Sequence, residues 1–502
     1  MKRWIVCIVC LINIIFLNEK QLPAQRTIDL TLDTAIDIAL DNSYQVRQLQ
    51  LNIERTRKNL EAERAGLKSR VYLNLQSPDI QQIADYKWDS QLQRDILIRQ
   101  NTRMWQANLA IRQPVILFGY PTDGYLSLNN QMYRYYQKNP NLGIQSVNYY
   151  NRYFVKFEQP LFQPNRLKND LEDAELDLER RELDYIQDLV QIIDRIADDY
   201  YQLYDLAYKN IIYSHHIENL EQASQIANTI SQRDTSRSIE AIQIQVELAN
   251  AREKLAQNQS DIRLESARMK QRLRLDQEDS LSITPEPSIS EIDVNTDQAI
   301  EYGYTLRPRM RLQRIYRRMN EIDLENTRGW NSFRVNLEMT YGLEKQDEQY
   351  TNLWEDQDNS YSVSLNAYVP IWDWGQRKAR IEAAKINIRK RELYIEENKT
   401  EIQSEIQNAV TNLKEYQSRA SNMRENMDMA QEITSISTNQ YESGDISLQD
   451  LLQQINRQRE TELNFLDAYL GYRNSLLTLM RNTYYDYENN SALINRFREQ
   501  MQ

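Results

Sequence analysis

Few residues of the types that usually carry chemistry are present in this sequence. Its two histidines are adjacent, at His215 and His216, and its two cysteines, Cys7 and Cys10, lie in an apolar N-terminal run. An adjacent pair of histidines does not supply the spaced imidazoles of a metal site or a catalytic base, so we expect both on a solvated helix face. No candidate set of acid, base and nucleophile accompanies them. The sequence therefore predicts no enzyme, no cofactor and no metal site.

The overall composition points to long helices with few turns. The 502 residues include only 10 glycines and 11 prolines, and 27% of them are charged, with a net charge of −12. So few glycines argue against a Gly-rich phosphate cradle, and breakers this rare favour helix over turn. An acidic chain has no general attraction for nucleic acid.

The N-terminus has the pattern of a secretory signal. Lys2 and Arg3 precede an apolar run from Trp4 to Leu17, and a small residue, Ala24, follows. We predict a signal peptide over residues 1–24; the alternative, an uncleaved anchor, would need a run of about 20 apolar residues. Cleavage would remove both cysteines, which leaves an exported chain without disulfides.

Two halves of the chain resemble each other. Ala35-Ile36 matches Ala299-Ile300, Arg70-Val71-Tyr72-Leu73 matches Arg334-Val335-Asn336-Leu337, and Gln159-Pro160 matches Val369-Pro370. Matches in one order indicate an internal duplication. The predicted organisation is the following: repeat 1 over 25–278, a linker over 279–293, repeat 2 over 294–485 and a C-terminal tail over 486–502.

Apolar residues at coiled-coil spacing predict helices of unusual length. In the second half they recur every three or four residues, at Ile402, Ile406, Ala409, Leu413, Tyr416, Ala420, Met423, Met427 and Ala430. Spacing of this kind over four heptads is typical of a coiled-coil seam. Long helices are predicted over about 165–230, 236–277, 375–441 and 446–484. A helix of about 60 residues is about 90 Å long, which suits a span rather than a compact core.

Shorter stretches alternate with a period of two. Apolar residues alternate with polar ones over 333–341 and 361–369, the pattern of a strand with one apolar and one wet face. In the first half we assign the crossing strands to 69–77 and 149–159, with residues 78–148 as an insertion outside these strands that forms an extracellular or rim element. Gln113-Pro114 competes with Gln159-Pro160 as the end of the last strand there. The strands suit either a soluble sheet or a barrel in a bilayer, and export favours the barrel.

Two tryptophans follow the last predicted strand. Trp372 and Trp374 could pack in a core, but tryptophan near strand ends is also typical of a membrane interface belt. We predict the belt.

Two motifs in the second half resemble those of a known family. Pro370-Ile371-Trp372-Asp373-Trp374-Gly375 precedes an Arg/Lys/Ala-rich helix, and Tyr441-Glu442-Ser443-Gly444-Asp445-Ile446-Ser447-Leu448 lies between two helices. Their order, with the duplication and the signal, is similar to the TolC family of outer-membrane efflux channels. The resemblance implies a mostly α fold with a membrane β-barrel. In such a trimer, each protomer gives about four strands to one twelve-stranded barrel and its long antiparallel helices to a periplasmic tunnel.

The resemblance also implies a function and partners. The chain would be the outer-membrane channel of a tripartite efflux or type I secretion system, a passive conduit through outer membrane and periplasm. It would form a homotrimer in outer-membrane lipid and be driven by an inner-membrane transporter through a periplasmic adaptor, with no role for nucleic acid. The alternative is a periplasmic coiled-coil scaffold or adaptor protein.

Four residues match the periplasmic gate of the family. Asp450 matches an acidic ring in the constriction, and Gln453 stands where a second acidic ring is found. Tyr441 and Glu240 match a tyrosine and an acidic partner that join the two helix pairs, which predicts a hydroxyl-to-carboxylate hydrogen bond. Ile446 replaces the gate arginine, so the full salt-bridge lock of the family is not expected.

Four more residues match the tip that contacts the adaptor: Gly444, Asp445, Ser447 and, in the first repeat, Asp234. A turn at this place favours the positive φ of glycine, and aspartate tolerates that backbone better than most other residues. The alternative for Gly444 is a helix C-cap without further function.

Overall fold

The chain was analysed as a computed structural model that describes residues 27–91, 93–139, 144–233 and 238–498. The predicted signal peptide lies outside the described residues. The described chain divides into two compact units. The helical unit takes the residues up to Gln50, Tyr185–Pro308 and those from Lys399 onward, and the sheet unit takes Leu51–Asp184 and Arg309–Asn398.

Helices account for most of the chain. In chain order they are α1 (Leu32–Asn42), α2 (Tyr44–Gly66), α3 (Arg166–Arg233), α4 (Ser238–Leu273), α5 (Thr296–Thr305), α6 (Pro308–Gly329), α7 (Gln376–Ser443), α8 (Leu448–Thr483) and α9 (Leu493–Arg498). α3 and α7 have 68 residues each, and α4 and α8 have 36 each. These four begin and end close to the predicted ranges.

The coiled-coil seam of α7 is buried where it runs through the helical unit. Ile402, Ile406 and Leu413 are fully shielded from solvent, and Ala420 is as well. Apolar side chains recurring at this spacing lie on one side of a helix, so burying that side against neighbouring helices stabilises a helix whose exposed face is polar.

The strands, in chain order, are β1 (Thr27–Asp29), β2 (Arg70–Asp89), β3 (Arg94–Leu117), β4 (Tyr120–Asn139), β5 (Ile144–Leu161), β6 (Ser280–Ser282), β7 (Arg334–Asp347), β8 (Asp358–Tyr368), β9 (Tyr485–Asp486) and β10 (Ser491–Ala492). β1 pairs in parallel with β6, which lies in the predicted linker. β9 and β10 pair in the predicted tail, where Glu488 accepts a hydrogen bond of 2.6 Å from Arg473 Nη1 of α8.

The large sheet has six strands in the order β2-β3-β4-β5-β7-β8, each antiparallel to its neighbours. This corrects the prediction of about four strands and of an insertion outside the sheet. Residues 94–117 and 120–139 form β3 and β4 inside the sheet, and β2 continues to Asp89. The prediction failed because β4 is polar on both faces around Asn129 and Asn130, so its sequence lacks the expected alternation.

Both competing Gln-Pro pairs lie at the same end of this sheet. Gln113-Pro114 lies near the end of β3, whereas Gln159-Pro160 is at the end of β5 and leads into α3. Each glutamine donates a hydrogen bond of 2.9 Å from Nε2 to the carbonyl of the following proline. The two pairs therefore end two successive hairpins, and only the second is followed by a helix.

Candidate functional site

The ends of the four long helices share one hydrophobic core in the helical unit. This hairpin core consists of buried residues from α3, α4, α7 and α8: Leu220, Ala223, Ala227, Ile244, Ala251, Tyr441, Leu448, Leu451, Leu452 and Ile455. Ile446, for which the family resemblance predicts the place of a gate arginine, packs against it.

Tyr441 joins α7 to α4 within the hairpin core. Its side chain is fully buried, and its hydroxyl donates a hydrogen bond of 2.7 Å to Oε2 of Glu240 in the first turn of α4. A carboxylate in the first turn also interacts favourably with the positive end of the helix dipole. The predicted hydroxyl-to-carboxylate hydrogen bond is present, and the role of these residues in a gate stays a prediction.

Gly444 ends α7 in a left-handed conformation. Its φ is +83°, its N–H donates to the carbonyl of Tyr441 at 3.0 Å, and the N–H of Asp445 donates to the carbonyl of Gln440 at 2.8 Å. These two bonds form a Schellman motif, which satisfies carbonyls at the helix end. The positive φ expected for Gly444 is therefore present in a C-cap.

Ser447 and Asp450 form a capping box at the start of α8. Asp450 N–H donates to Ser447 Oγ at 3.2 Å, and the Asp450 carboxylate accepts from Ser447 N–H at 3.2 Å and from Ser447 Oγ at 2.6 Å. These bonds favour the charged carboxylate and so lower the pKa of Asp450. The bond from the Ser447 hydroxyl has the larger effect, and the bond from the Ser447 backbone N–H has the smaller one. Asp450 thus has a structural role in this capping box, and its role in an acidic ring stays a prediction.

Two more residues of the predicted gate and tip, Gln453 and Asp445, lie in or next to this turn. Gln453 is exposed three residues after Asp450, hence on the same side of α8. Asp445 is exposed in the turn itself. Asp234 lies outside the described residues.

The two histidines differ, which corrects the prediction that both are solvated. His215 is exposed, but His216 is 4% exposed and follows Ile212 and precedes Leu220 on the buried side of α3. Burial first, and then the positive charges of Arg459 and Lys254, lower the pKa of His216 to about 4. His216 is therefore neutral at pH 7. Among the described residues, no group of three or more His, Cys, Asp or Glu side chains could hold a metal ion.

One face of the six-stranded sheet carries exposed apolar side chains. A single row of register partners runs across all six strands, through Val71, Ile111, Leu128, Val155, Tyr341 and Tyr361. Their exposed fractions run from 40% at Ile111 to 82% at Tyr361. An apolar face of this extent is unusual on a soluble monomer and indicates a surface that a membrane or another protein covers.

The opposite face of the sheet is polar. The adjacent row reads Arg70, Arg112, Ser127, Lys156, Thr340 and Ser362. Lys156 Nζ lies 2.7 Å from Glu158 Oε1 and 2.8 Å from Glu338 Oε1. Among the described residues, no helix is long and apolar enough to cross a bilayer.

Exposed aromatic side chains cluster at the end of the sheet where β5 meets α3. Trp372 and Trp374 follow β8 and stack edge to face, with ring centroids 5.5 Å apart. Phe118, Phe162 and Phe333 lie at the same end, and the rings of the last two are 5.6 Å apart. Sequence analysis missed these three phenylalanines, although each adjoins the end of a strand. Phe118, Phe162 and Trp374 have positive φ, which is rare for a bulky residue.

Comparison with known proteins identifies a family model and solved structures that resemble this chain. Residues 333–483 match the family model described as outer membrane efflux protein. This segment of the chain therefore resembles outer membrane efflux proteins in sequence. A search of curated protein sequences gave no match.

Solved structures of outer membrane channels share the fold of this chain over most of its length. The outer-membrane channel OprN is 15% identical, with a TM-score of 0.65 over 90% of this chain and 89% of that one. The CmeC outer membrane channel of Campylobacter jejuni is 13% identical, with a TM-score of 0.65 over 94% and 89%. The MtrE outer membrane channel of Neisseria gonorrhoeae, solved in its open state, is 14% identical, with a TM-score of 0.60 over 90% and 88%. The resemblance to TolC-like channels is thus confirmed.

The segment that matches the family model contains β8, α7 and most of the residues of interest. Tyr441, Gly444, Ser447 and Asp450 lie within residues 333–483, as do both tryptophans. β3 and β4 lie before this segment.

Proposed function

We propose that this protein is an efflux channel, a passive conduit through the outer membrane that extends into the periplasm. The observation that carries the proposal is the six-stranded sheet with an exposed apolar row on one face and charged and polar side chains on the other. Lipid would cover the apolar face, and the polar face would line water.

Closure of the sheet requires further copies of the chain. The outer strands of the sheet, β2 and β8, each present an edge, and every unpaired backbone group in hydrocarbon costs several kcal/mol. Three copies, as in the family that the sequence resembles, would close the sheets into one barrel. The long helices would continue the barrel as a tunnel, with repeat 1 and repeat 2 each supplying one long helical pair.

The hairpin core supplies the proposed gate. Three copies of Asp450 would converge at the periplasmic end of the tunnel, and like charges in a narrow pore attract cations. Tyr441 and Glu240 would hold the two helical pairs together in the closed state. Gly444, Asp445 and Ser447, with Asp234 of the first repeat, would contact a periplasmic adaptor that couples the channel to an inner-membrane transporter.

Expression in a Gram-negative host followed by reconstitution tests the proposal. We expect the protein in the outer-membrane fraction after carbonate washing, extracted only by detergent, and discrete cation-selective conductance steps in planar bilayers. Recovery as a water-soluble periplasmic protein without conductance would favour the alternative, a periplasmic scaffold or adaptor. The exposed apolar row weighs against that alternative, since a scaffold would leave it in water.

A further inference from the structure

We propose that three copies of this chain close into a barrel of eighteen strands, six from each copy, rather than the twelve that the family resemblance implies. The inference rests on the proposed function, because a membrane barrel has to exist before its strands can be counted. Its starting point is the hairpin of β3 and β4, which belongs to the same sheet as the other strands.

The β3–β4 hairpin is paired along its length on both sides. β3 pairs with β2 from Arg94 to Arg112, and β4 pairs with β5 from Tyr125 to Asn139. β2 and β5, which would be neighbours in a four-stranded sheet, are separated by these two strands.

The side chains of the hairpin continue both faces of the sheet. Ile111 of β3 and Leu128 of β4 are exposed members of the apolar row, between Val71 and Val155. On the polar face, Arg112 of β3 lies 3.5 Å from Glu158 of β5. A rim element beyond the bilayer would have no need for an apolar face in line with that of the other strands.

Hydrogen bonds also hold the turn of the β3–β4 hairpin against the end of β5 and the start of α3. Gln159 Nε2 donates to the carbonyl of Thr122 at 2.8 Å, and Asn165 donates to the carbonyl of Pro121. Asp123 accepts hydrogen bonds from the backbone of Arg166 and Leu167 in the first turn of α3. These contacts fix the turn between β3 and β4 beside the end of β5.

The two edges of the six-stranded sheet fit a second copy of the chain. Strand directions alternate across the sheet, so β2 and β8 run in opposite directions. β8 of one copy can therefore pair with β2 of the next in the same antiparallel sense, which continues the alternation around a closed ring. Three such joins close every edge, as hydrocarbon requires.

The added strands would widen the barrel without widening the tunnel. With strands about 4.8 Å apart and tilted by about 40°, eighteen strands give a backbone diameter of about 36 Å, against about 24 Å for twelve. β3 and β4 are joined by only Phe118 and Gly119, so the hairpin adds no helix. The outer mouth would thus be about 1.5 times as wide as that of a twelve-stranded barrel.

Cysteine cross-linking between subunits tests which strand of the neighbouring copy pairs with β8. With Cys7 and Cys10 replaced by serine, one cysteine is placed on the polar face of β8 and one on the polar face of either β2 or β4. The positions are Ser360, Ser362 or Ser364 on β8, Tyr72, Asn74 or Gln76 on β2, and Ser127, Asn129 or Gln131 on β4.

Oxidation of the β2–β8 set should give covalent trimers for at least one pairing, and the β4–β8 set should stay monomeric on denaturing gels. β2 would also meet β8 in a twelve-stranded barrel made of β2, β5, β7 and β8, so the strand count decides between the two barrels. Electron cryo-microscopy maps of the same trimers should show eighteen strands. Cross-links in the β4–β8 set, or a map with twelve strands, would overturn the inference. Conductance measured on the same preparation separates the two proposals: a pore with twelve strands or with β4–β8 cross-links overturns this inference alone, whereas a protein without a pore overturns the proposed function.

Discussion

The hydroxyl of Tyr441 lies 2.7 Å from Oε2 of Glu240, although the two residues are 201 positions apart in the chain. The bond joins the last turn of α7 to the first turn of α4, and the tyrosine ring is part of the hairpin core. One side chain thus contributes both apolar packing and a charge-assisted hydrogen bond between the two helical pairs. Separation of the pairs at this end would require breaking that bond.

Tyr441→Phe should loosen the gate while keeping the ring. A hydrogen bond to a charged group contributes about 1.5–3 kcal/mol, so its loss should raise the population of the open state. We expect single-channel conductance in planar bilayers to rise several-fold. Tyr213→Phe, at a half-buried tyrosine of α3 outside the hairpin core, is the control and should leave conductance unchanged. Equal conductance in wild type and Tyr441→Phe would contradict the gate role.

Much of the fold could be predicted from the sequence where its pattern is long. The seam from Ile402 to Ala430 predicted a helix that the structure places at Gln376–Ser443, because a repeat over four heptads averages out local exceptions. The hydrogen bond between Tyr441 and Glu240 could not be predicted from residue spacing. Its prediction came from the family resemblance.

Other features depend on strand pairing and side-chain packing between segments that are distant in the sequence. β4 is polar on both faces near Asn129, so only its pairing with β3 and β5 identifies it as a strand. His216 lies on a largely polar helix. Its spacing from Ile212 and Leu220 is the one signal that could have predicted its burial.

Asp450→Asn should reduce cation selectivity. The structure keeps this carboxylate ionised, because the hydrogen bonds from Ser447 lower its pKa. Stability from this group is complete above the pKa of the unfolded chain, about 3.9, and is lost as the pH falls through the lower folded pKa. At pH 7 the charge is therefore present, and its removal should lower the cation-to-anion permeability ratio. Reversal potentials measure this ratio. Glu460→Gln removes the same charge from an exposed site ten residues along α8 and should have a smaller effect.

Gly444→Ala should destabilise the protein through backbone strain alone. At a φ of +83° an alanine costs about 1 kcal/mol, and nothing lies within 4 Å of the added Cβ. Gly303→Ala is the contrasting variant: its Cβ would meet Ile406 at 2.3 Å and Ile402 at 3.1 Å, so overpacking of about 1–3 kcal/mol is expected. Denaturant midpoints in detergent measure both. A loss for Gly444→Ala greater than that for Gly303→Ala would mean that the turn packs against something further, such as a neighbouring subunit.

Adjacent substitutions on β8 should distinguish the lipid face from the lumen face. Val363 is exposed on the apolar face and Ser362 is exposed on the polar face, so one residue separates the two environments. Arginine on the lipid face near the bilayer midplane costs about 2–4 kcal/mol, whereas the lumen tolerates it. Val363→Arg should reduce folded trimer in outer membranes, and Ser362→Arg should preserve it and shift ion selectivity. The reverse order of the two yields would show that the faces are assigned the wrong way round.

Burial of His216 should make the stability of the helical unit depend on pH, over a range in which the neighbouring His215 has no effect. Its pKa is about 4 in the folded chain and about 6.5 when unfolded, so between these values the unfolded state binds more protons. Stability from this site is complete above pH 6.5 and decreases as the pH falls toward 4, by about 3 kcal/mol in total. His216→Gln should flatten the dependence of the free energy of unfolding on pH, followed by circular dichroism in denaturant. His215→Gln removes an exposed imidazole one residue away and should retain the wild-type slope. Because carboxylates titrate equally in both variants, a slope that is the same in both would mean that His216 is hydrated and can be protonated without loss of packing.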